Sequence, residues 1–216
     1  MSSNSIIPIE ELKKDITLKA NLCGNSLEFK TTWGLFSPEA IDAGTELLLN
    51  TLKKTDQGQT STDLKKFSIN KTLDILDLGC GYGPIGIALG KIATSGSIHL
   101  IDKDFVAVEY AEKNAKLNGI ENSKCYLSNG FSAVPKDARF DLIISNLPAK
   151  ISKEFFWILF AEANEHLKPG GQFLVVTIAG LEFFIKKNFE KIFGNYELLK
   201  NSSGYFVAKT VKGEQI

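Results

Sequence analysis

The segment Asp77-Leu78-Gly79-Cys80-Gly81-Tyr82-Gly83-Pro84-Ile85-Gly86 carries the most chemistry in this sequence. Its glycines suit a chain that turns sharply and lets a ligand approach the backbone. Gly81-Tyr-Gly83-Pro-Ile-Gly86 satisfies the dinucleotide pattern G-x-G-x-x-G, and Asp102 lies near the distance at which an acid binds a ribose hydroxyl. An NAD-dependent oxidoreductase therefore has to be weighed. Asp77 weighs against it. A carboxylate at the mouth of the loop repels a pyrophosphate and attracts an ammonium. S-adenosylmethionine has an ammonium, a sulfonium, a ribose and an adenine, and no phosphate, so the charge pattern favours it over NAD. A phosphate-cradling P-loop is excluded, because no Lys-Ser or Lys-Thr follows the glycines. Cys80 is read as a small side chain within the loop and not as a nucleophile.

The second chemical segment is Asn146-Leu147-Pro148-Ala149. An Asn and a neighbouring carbonyl can hold an amine without deprotonating it. Asn and Pro are also common turn formers, so an end-of-strand turn is the plainer role. The histidines, His99 and His166, fall in an expected core strand and near an expected helix C-terminus, and both are read as structural. Cys23, Cys80 and Cys125 are far apart, which argues against a disulfide framework and a zinc site, and no metal site is expected. No G-x-S-x-G elbow is present. Lys186, Lys187 and Lys191 read as one solvated helix face.

These residues need a frame. Strand patterns run over 73–78, 97–101, 124–127, 140–145 and 172–177, alternating with helix patterns over 84–93, 105–118, 152–167 and 181–193. Two closing strands, 196–199 and 205–210, are joined by Asn201-Ser-Ser-Gly204. Such alternation builds an α/β, mostly parallel sheet with helices on both faces, and the hairpin makes its last strand antiparallel. Ahead of this core (71–216) lie a polar loop (55–70) and a short N-terminal arm (1–54), all within one expected domain. The arm holds an alternating strand, Leu27 to Thr32. A helix follows that Ser37 caps and Pro38 opens, with Ile41, Thr45, Leu48 and Leu52 as its apolar stripe.

Of 216 residues, 44% are hydrophobic, which suffices for one ordinary core. Lys plus Arg (25) balances Asp plus Glu (25), so no overall field favours a large nucleic-acid footprint. No signal-peptide pattern opens the chain, and no run approaches about 18 apolar residues, so no membrane contact and a cytoplasmic setting are expected. Oligomeric state is not legible.

Asp77-Leu-Gly-Cys-Gly-Tyr-Gly83 resembles motif I of class I methyltransferases, and Leu167-Lys-Pro-Gly-Gly171 resembles the turn before their fifth strand. Gly34-Leu-Phe-Ser37 and Asp42-Ala-Gly44-Thr45 narrow the likeness to the "methyltransferase small" domain of small-subunit rRNA guanine-N2 methyltransferases and their archaeal relatives. The similarity runs from about Phe29 to Lys209. It implies a Rossmann-like, seven-stranded sheet with S-adenosylmethionine as cofactor. It implies that Asp77 and the loop Gly79, Cys80, Gly81 and Gly83 hold the methionine part, that Asp102 takes the ribose hydroxyls and that Lys103 lies near the adenine. It places Asn129 and Gly130 where the family has an acid for the adenine amino group. Asn129 can still accept that bond through its carbonyl oxygen. It implies that Asn146, Leu147 and Pro148 are catalytic, with RNA as partner. Asn129 is thus one departure from the family pattern, and the segment 146–149 is the second. Leu147 replaces a Pro of the family's Asn-Pro-Pro-aromatic motif, and Ala149 replaces the aromatic. Trp33, Phe36 and Trp157 are the aromatics that could substitute, although core packing is the favoured role for Trp33 and Phe36. The alternatives are a methyltransferase of a protein amide or small molecule, and a non-catalytic S-adenosylmethionine-binding module.

Overall fold

A computed structural model describes residues 7–54 and 67–213. The arm opens with a single helical turn, α1 (Ile9–Leu12), and then forms a hairpin of β1 (Ile16–Leu22) and β2 (Asn25–Thr31). Cys23 and Gly24, the two residues between these strands, both have positive φ (52° and 78°), the conformation of a type I′ turn. The expected strand is β2, and β1 is an addition to the sequence reading.

The next helix corrects an expectation. Ser37 does not cap it and Pro38 does not open it. Ser37 has a φ of 50°, and α2 spans Ala43–Leu49 with Asp42 as its N-cap. The Asp42 carboxylate accepts the Thr45 amide at 3.1 Å, the bond a capping side chain supplies. Two short parallel strands follow, β3 (Leu52–Lys54) and β4 (Phe67–Ile69). The expected polar loop thus ends earlier than 70, and its residues 55–66 lie outside the described residues.

The core alternates as its sequence pattern requires: β5 (Ile75–Leu78), α3 (Pro84–Gly90), β6 (Ile98–Asp102), α4 (Phe105–Leu117), β7 (Ser123–Leu127), β8 (Phe140–Asn146), α5 (Lys153–His166), β9 (Leu167–Ile178), α6 (Glu182–Phe193), β10 (Glu197–Asn201) and β11 (Tyr205–Val211). They form a seven-stranded sheet in the order β10-β11-β9-β8-β5-β6-β7. β11 runs antiparallel to both neighbours, while the β9-β8-β5-β6-β7 pairs are parallel.

Burial follows the two faces. Ile75, Leu100, Leu142, Ile144, Leu174 and Val176 meet α2, α3, α4 and the arm. Leu76, Ile143, Phe173 and Val175 meet α5 and α6 through Phe156, Phe160 and Phe189. Each of these phenylalanines is fully buried, which stabilises the fold by roughly 1.5–3 kcal/mol per side chain. His99 is buried against Phe140 with its Nδ1 2.9 Å from the Tyr126 hydroxyl, and His166 stacks on Phe131. Both serve packing. From β5 the chain moves one way along the sheet to β6 and β7, and then returns to the other side for β8. The crevice at such a reversal, beyond the strands' C-terminal ends, is where open α/β sheets hold ligands.

Candidate functional site

A cavity of about 650 Å³ opens at this reversal. Its wall is built from the loop after β5, the ends of β6 and β8, the segment after β7, and the arm. In the glycine loop Gly79, Gly81 and Gly83 have φ of 73°, 56° and 93°, which a side chain would resist. The Gly79 and Cys80 amides donate to the Ile101 carbonyl, both at 2.9 Å. Asp102 Oδ2 accepts the Gly81 amide at 2.9 Å, and its Oδ1 accepts the Asp104 amide at 3.0 Å. Each carboxylate oxygen keeps a lone pair for a ligand hydroxyl. Asp102 and Lys103 line the cavity beside Ser128, Asn129 and Gly130.

Asp77 is placed differently from the expectation. Its carboxylate does not stand at the mouth of the loop. It is fully buried and absent from the cavity wall, although Leu78, Gly79, Cys80 and Gly81 line it. Oδ2 accepts the Gly86 amide at 2.7 Å, tying the loop to the first turn of α3. Oδ1 is buried and without a partner among the described residues. Burial pushes this carboxyl up to about 7; the Gly86 bond opposes the rise and the nearby Asp102 adds to it. The acids that face the cavity are Asp42, Asp102 and Asp104 instead, with Lys103 and Lys150 also on its wall. These acids disfavour a pyrophosphate and fit a ligand with hydroxyls and a cationic end. Gly83 also lies off the wall, as the N-cap of α3. The Cys80 thiol is buried, and burial together with Asp77 and Asp102 pushes it well above the ordinary thiol value, which disfavours the thiolate.

At the end of β8, Asn146, Leu147, Pro148 and Ala149 all line the cavity. Leu147 fits where the related motif has Pro. Its side chain is buried against the Phe156 side of the core, and its amide donates to the Val176 carbonyl at 2.8 Å, a bond Pro could not make. The Asn146 amide Nδ2 donates to Asp42 Oδ2 at 2.8 Å and to Thr45 Oγ1 at 3.1 Å. Among the described residues neither Asn146 Oδ1 nor the Leu147 carbonyl has a hydrogen-bond donor. The Tyr205 hydroxyl reaches Asp42 Oδ1 at 3.4 Å. Asp42, Thr45 and Tyr205 line the cavity and were not read as site residues. The N-cap pattern Asp42-x-x-Thr45 was the available signal for the first two.

The expectation that Trp33 and Phe36 pack in the core is overturned, since they are 67% and 68% exposed. Of the three candidate aromatics only Phe36 lines the cavity; Trp33 and Trp157 do not. Among the described residues no group of His, Cys, Asp and Glu is placed to hold a metal ion, and no helix is long and apolar enough to cross a membrane.

The strand order and the cavity beyond the C-terminal strand ends define a Rossmann-like methyltransferase fold. The profile of the Methyltransferase small domain family matches residues 26–209, and the chain belongs to that family. It is 32% identical to the uncharacterized protein YbxB of Bacillus subtilis, over 91% of each chain. It is 32% identical to the ribosomal RNA small subunit methyltransferase C of Citrobacter koseri, over 88% of this chain and 51% of that protein. The chain thus spans about half the length of the rRNA methyltransferases it matches. In fold it is similar to the T. thermophilus 16S rRNA N2 methyltransferase RsmC, solved in complex with AdoMet and guanosine. The TM-score is 0.77 and the identity 24%, over 92% of this chain and 50% of that one. Family membership removes the NAD oxidoreductase reading.

Proposed function

We propose that this chain transfers a methyl group from S-adenosylmethionine to an exocyclic amine, guanine N2 in RNA. The observation that carries the reading is the pair of acceptors at the end of β8 that no donor among the described residues engages, Asn146 Oδ1 and the Leu147 carbonyl, both in the lining of the cavity that the glycine loop also walls. An amine held by two neutral acceptors keeps its lone pair for attack, and no strong base is needed. Bound S-adenosylmethionine supplies the electrophilic methyl. Gly79, Cys80 and Gly81 wall its methionine part, their own amides being held by the Ile101 carbonyl and Asp102. Asp102 accepts from its ribose hydroxyls, with Lys103, Asn129 and Gly130 beside the adenine. Asp77 acts behind the loop, fixing it to α3. Gly83 starts that helix. Pro148 ends the motif at the cavity's exposed lip.

Phe36 takes the place of the missing aromatic at Ala149. It stands exposed on the same wall, able to stack a base that the arm and the β8 end enclose. The rRNA methyltransferases among the relatives favour RNA as partner, and the reading carries a cytoplasmic setting with it. The balanced charge assigns to this chain the handling of the acceptor base, not long-range capture of RNA.

Labelled methyl transfer from S-adenosylmethionine into separated RNA, protein and small-molecule fractions tests the proposal, with Asn146→Ala as control. Label in RNA that disappears in the control is the expected result. Label confined to another fraction discards RNA as the acceptor. Binding of the cofactor with no transfer to any fraction discards the catalytic reading.

A further inference from the structure

Resting on the acceptor reading above, we infer that Asp42 is a positioning residue that sets the polarity of Asn146. A carboxamide has two ends of nearly the same shape. One accepts two hydrogen bonds and the other donates two. The terminal torsion of Asn is broad and roughly two-fold, so packing alone does not choose between them. The wrong choice is worse than neutral. An amide NH2 turned toward the acceptor amine would donate into the lone pair that must attack.

Asp42 removes the ambiguity. An ionised carboxylate only accepts. Its Oδ2 lies 2.8 Å from the Asn146 amide nitrogen, with Thr45 Oγ1 at 3.1 Å on the same group. The carboxylate draws the NH2 end toward the arm, the Thr45 hydroxyl, able to donate or accept, follows it, and the carbonyl Oδ1 is left unengaged among the described residues. Asp42 is itself held. Its Oδ2 caps α2 through the Thr45 amide at 3.1 Å, and its Oδ1 receives the Tyr205 hydroxyl at 3.4 Å. The network also crowds its neighbour Gly44. A Cβ on Gly44 would lie 2.9 Å from Asp42 Oδ2 and 3.0 Å from the Tyr205 ring. The Asp42-Ala-Gly44-Thr45 segment therefore reads as a device that reaches from the arm into the β8 end.

The test is Asp42→Ser, Asn146→Ala and Asn146→Asp. Turnover is measured on rRNA purified from cells lacking this protein, alongside cofactor affinity and melting temperature. The cap and the Asn146 bond share Asp42 Oδ2, so an Asn at position 42 that kept the cap would still accept from Asn146 and leave its polarity unchanged. Ser caps a helix about as well as Asp and carries no carboxylate, so Asp42→Ser leaves α2 its cap and releases the Asn146 amide. It is expected to lower kcat about 10- to 100-fold, the scale of a misplaced reacting group, with cofactor affinity and melting temperature little changed. Asn146→Asp sets two carboxylates against each other and is expected to be no more active than Asp42→Ser.

A second readout needs no turnover. In the free protein the Asn146 side-chain amide, assigned by its loss in Asn146→Ala, should show one proton shifted downfield by the carboxylate and relaxed in Asp42→Ser. Full activity in Asp42→Ser with none in Asn146→Ala overturns the role of Asp42 and leaves the acceptor reading standing. Full activity in Asn146→Ala overturns the acceptor reading itself. An amide signal insensitive to Asp42→Ser reduces Asp42 to a helix cap and overturns the inference.

Discussion

Asp102 Oδ2 accepts the Gly81 amide at 2.9 Å, so the tip of the glycine loop hangs on the end of the neighbouring strand. One carboxylate thereby shapes the loop and offers acceptors to the cavity. Asp102→Ala is expected to weaken S-adenosylmethionine binding about 10- to 100-fold, the range for losing hydrogen bonds to a charged group at a partly exposed site. Asp102→Asn, which keeps one acceptor oxygen, should lose less. Titration calorimetry on the free protein checks both; an Ala variant that binds normally refutes the assignment.

Phe36 is 68% exposed, so it contributes little to folding. Phe36→Ala should change stability by no more than about 0.5 kcal/mol. Loss of a stacked base is worth about 1–3 kcal/mol, so KM for the RNA acceptor should rise roughly 5- to 150-fold. Phe36→Tyr should restore it. Steady-state kinetics with separate variation of RNA and cofactor would show whether the effect is confined to the acceptor, as expected.

Asp77 gives a pH dependence. Its carboxyl rises from 3.8 to about 7 in the fold, mainly through burial. The folded state therefore holds this proton more tightly than the unfolded chain. The resulting stabilisation is complete below pH about 4 and is lost as pH rises through about 7. Melting of cofactor-free wild type and Asp77→Asn, compared from pH about 5 to 8, should show the wild type losing ground as pH rises. A difference that stays flat across this window contradicts the buried, neutral carboxyl.

Gly44→Ala places a methyl 2.9 Å from Asp42 Oδ2 and 3.0 Å from the Tyr205 ring. A crowded buried position of this kind costs about 1–3 kcal/mol. Both stability and turnover are expected to fall, while Ala43→Ser, an exposed neighbour, should leave them unchanged. Chemical denaturation and methyl transfer measured side by side check this.

The order of strands and helices was legible because β5, β6, β8 and β9 carry short apolar runs and α4, α5 and α6 carry apolar stripes. The glycine loop was legible because its residue types are required by its backbone. β1 was missed although Ile16, Leu18, Ala20 and Leu22 alternate, since its turn uses Cys23-Gly24 and not one of the commoner pairs. Ser37-Pro38 looked like a helix start, yet Asp42 with Thr45 forms the cap. Local pattern cannot rank two adjacent starts when the first, Ser37, is itself held at a positive φ by the surrounding chain. The side of the loop on which Asp77 lies was not legible either. All four residues of β5 are buried, so alternation gave no direction. Tyr205 had no linear signal. It reaches the cavity through the antiparallel register that sets it opposite Ile178.

That register also governs how the sheet can assemble. β11 sits between β9 and β10 although it follows both in the chain. β10 has no partner until β11 has entered, so the two must arrive as a preformed hairpin or in reverse order of synthesis. Until then Leu174, Val175 and Val176 lie on an unsealed strand margin. A chain cut before Tyr205 would keep its glycine loop and still present a sticky ribbon to other molecules, with self-association as its fate.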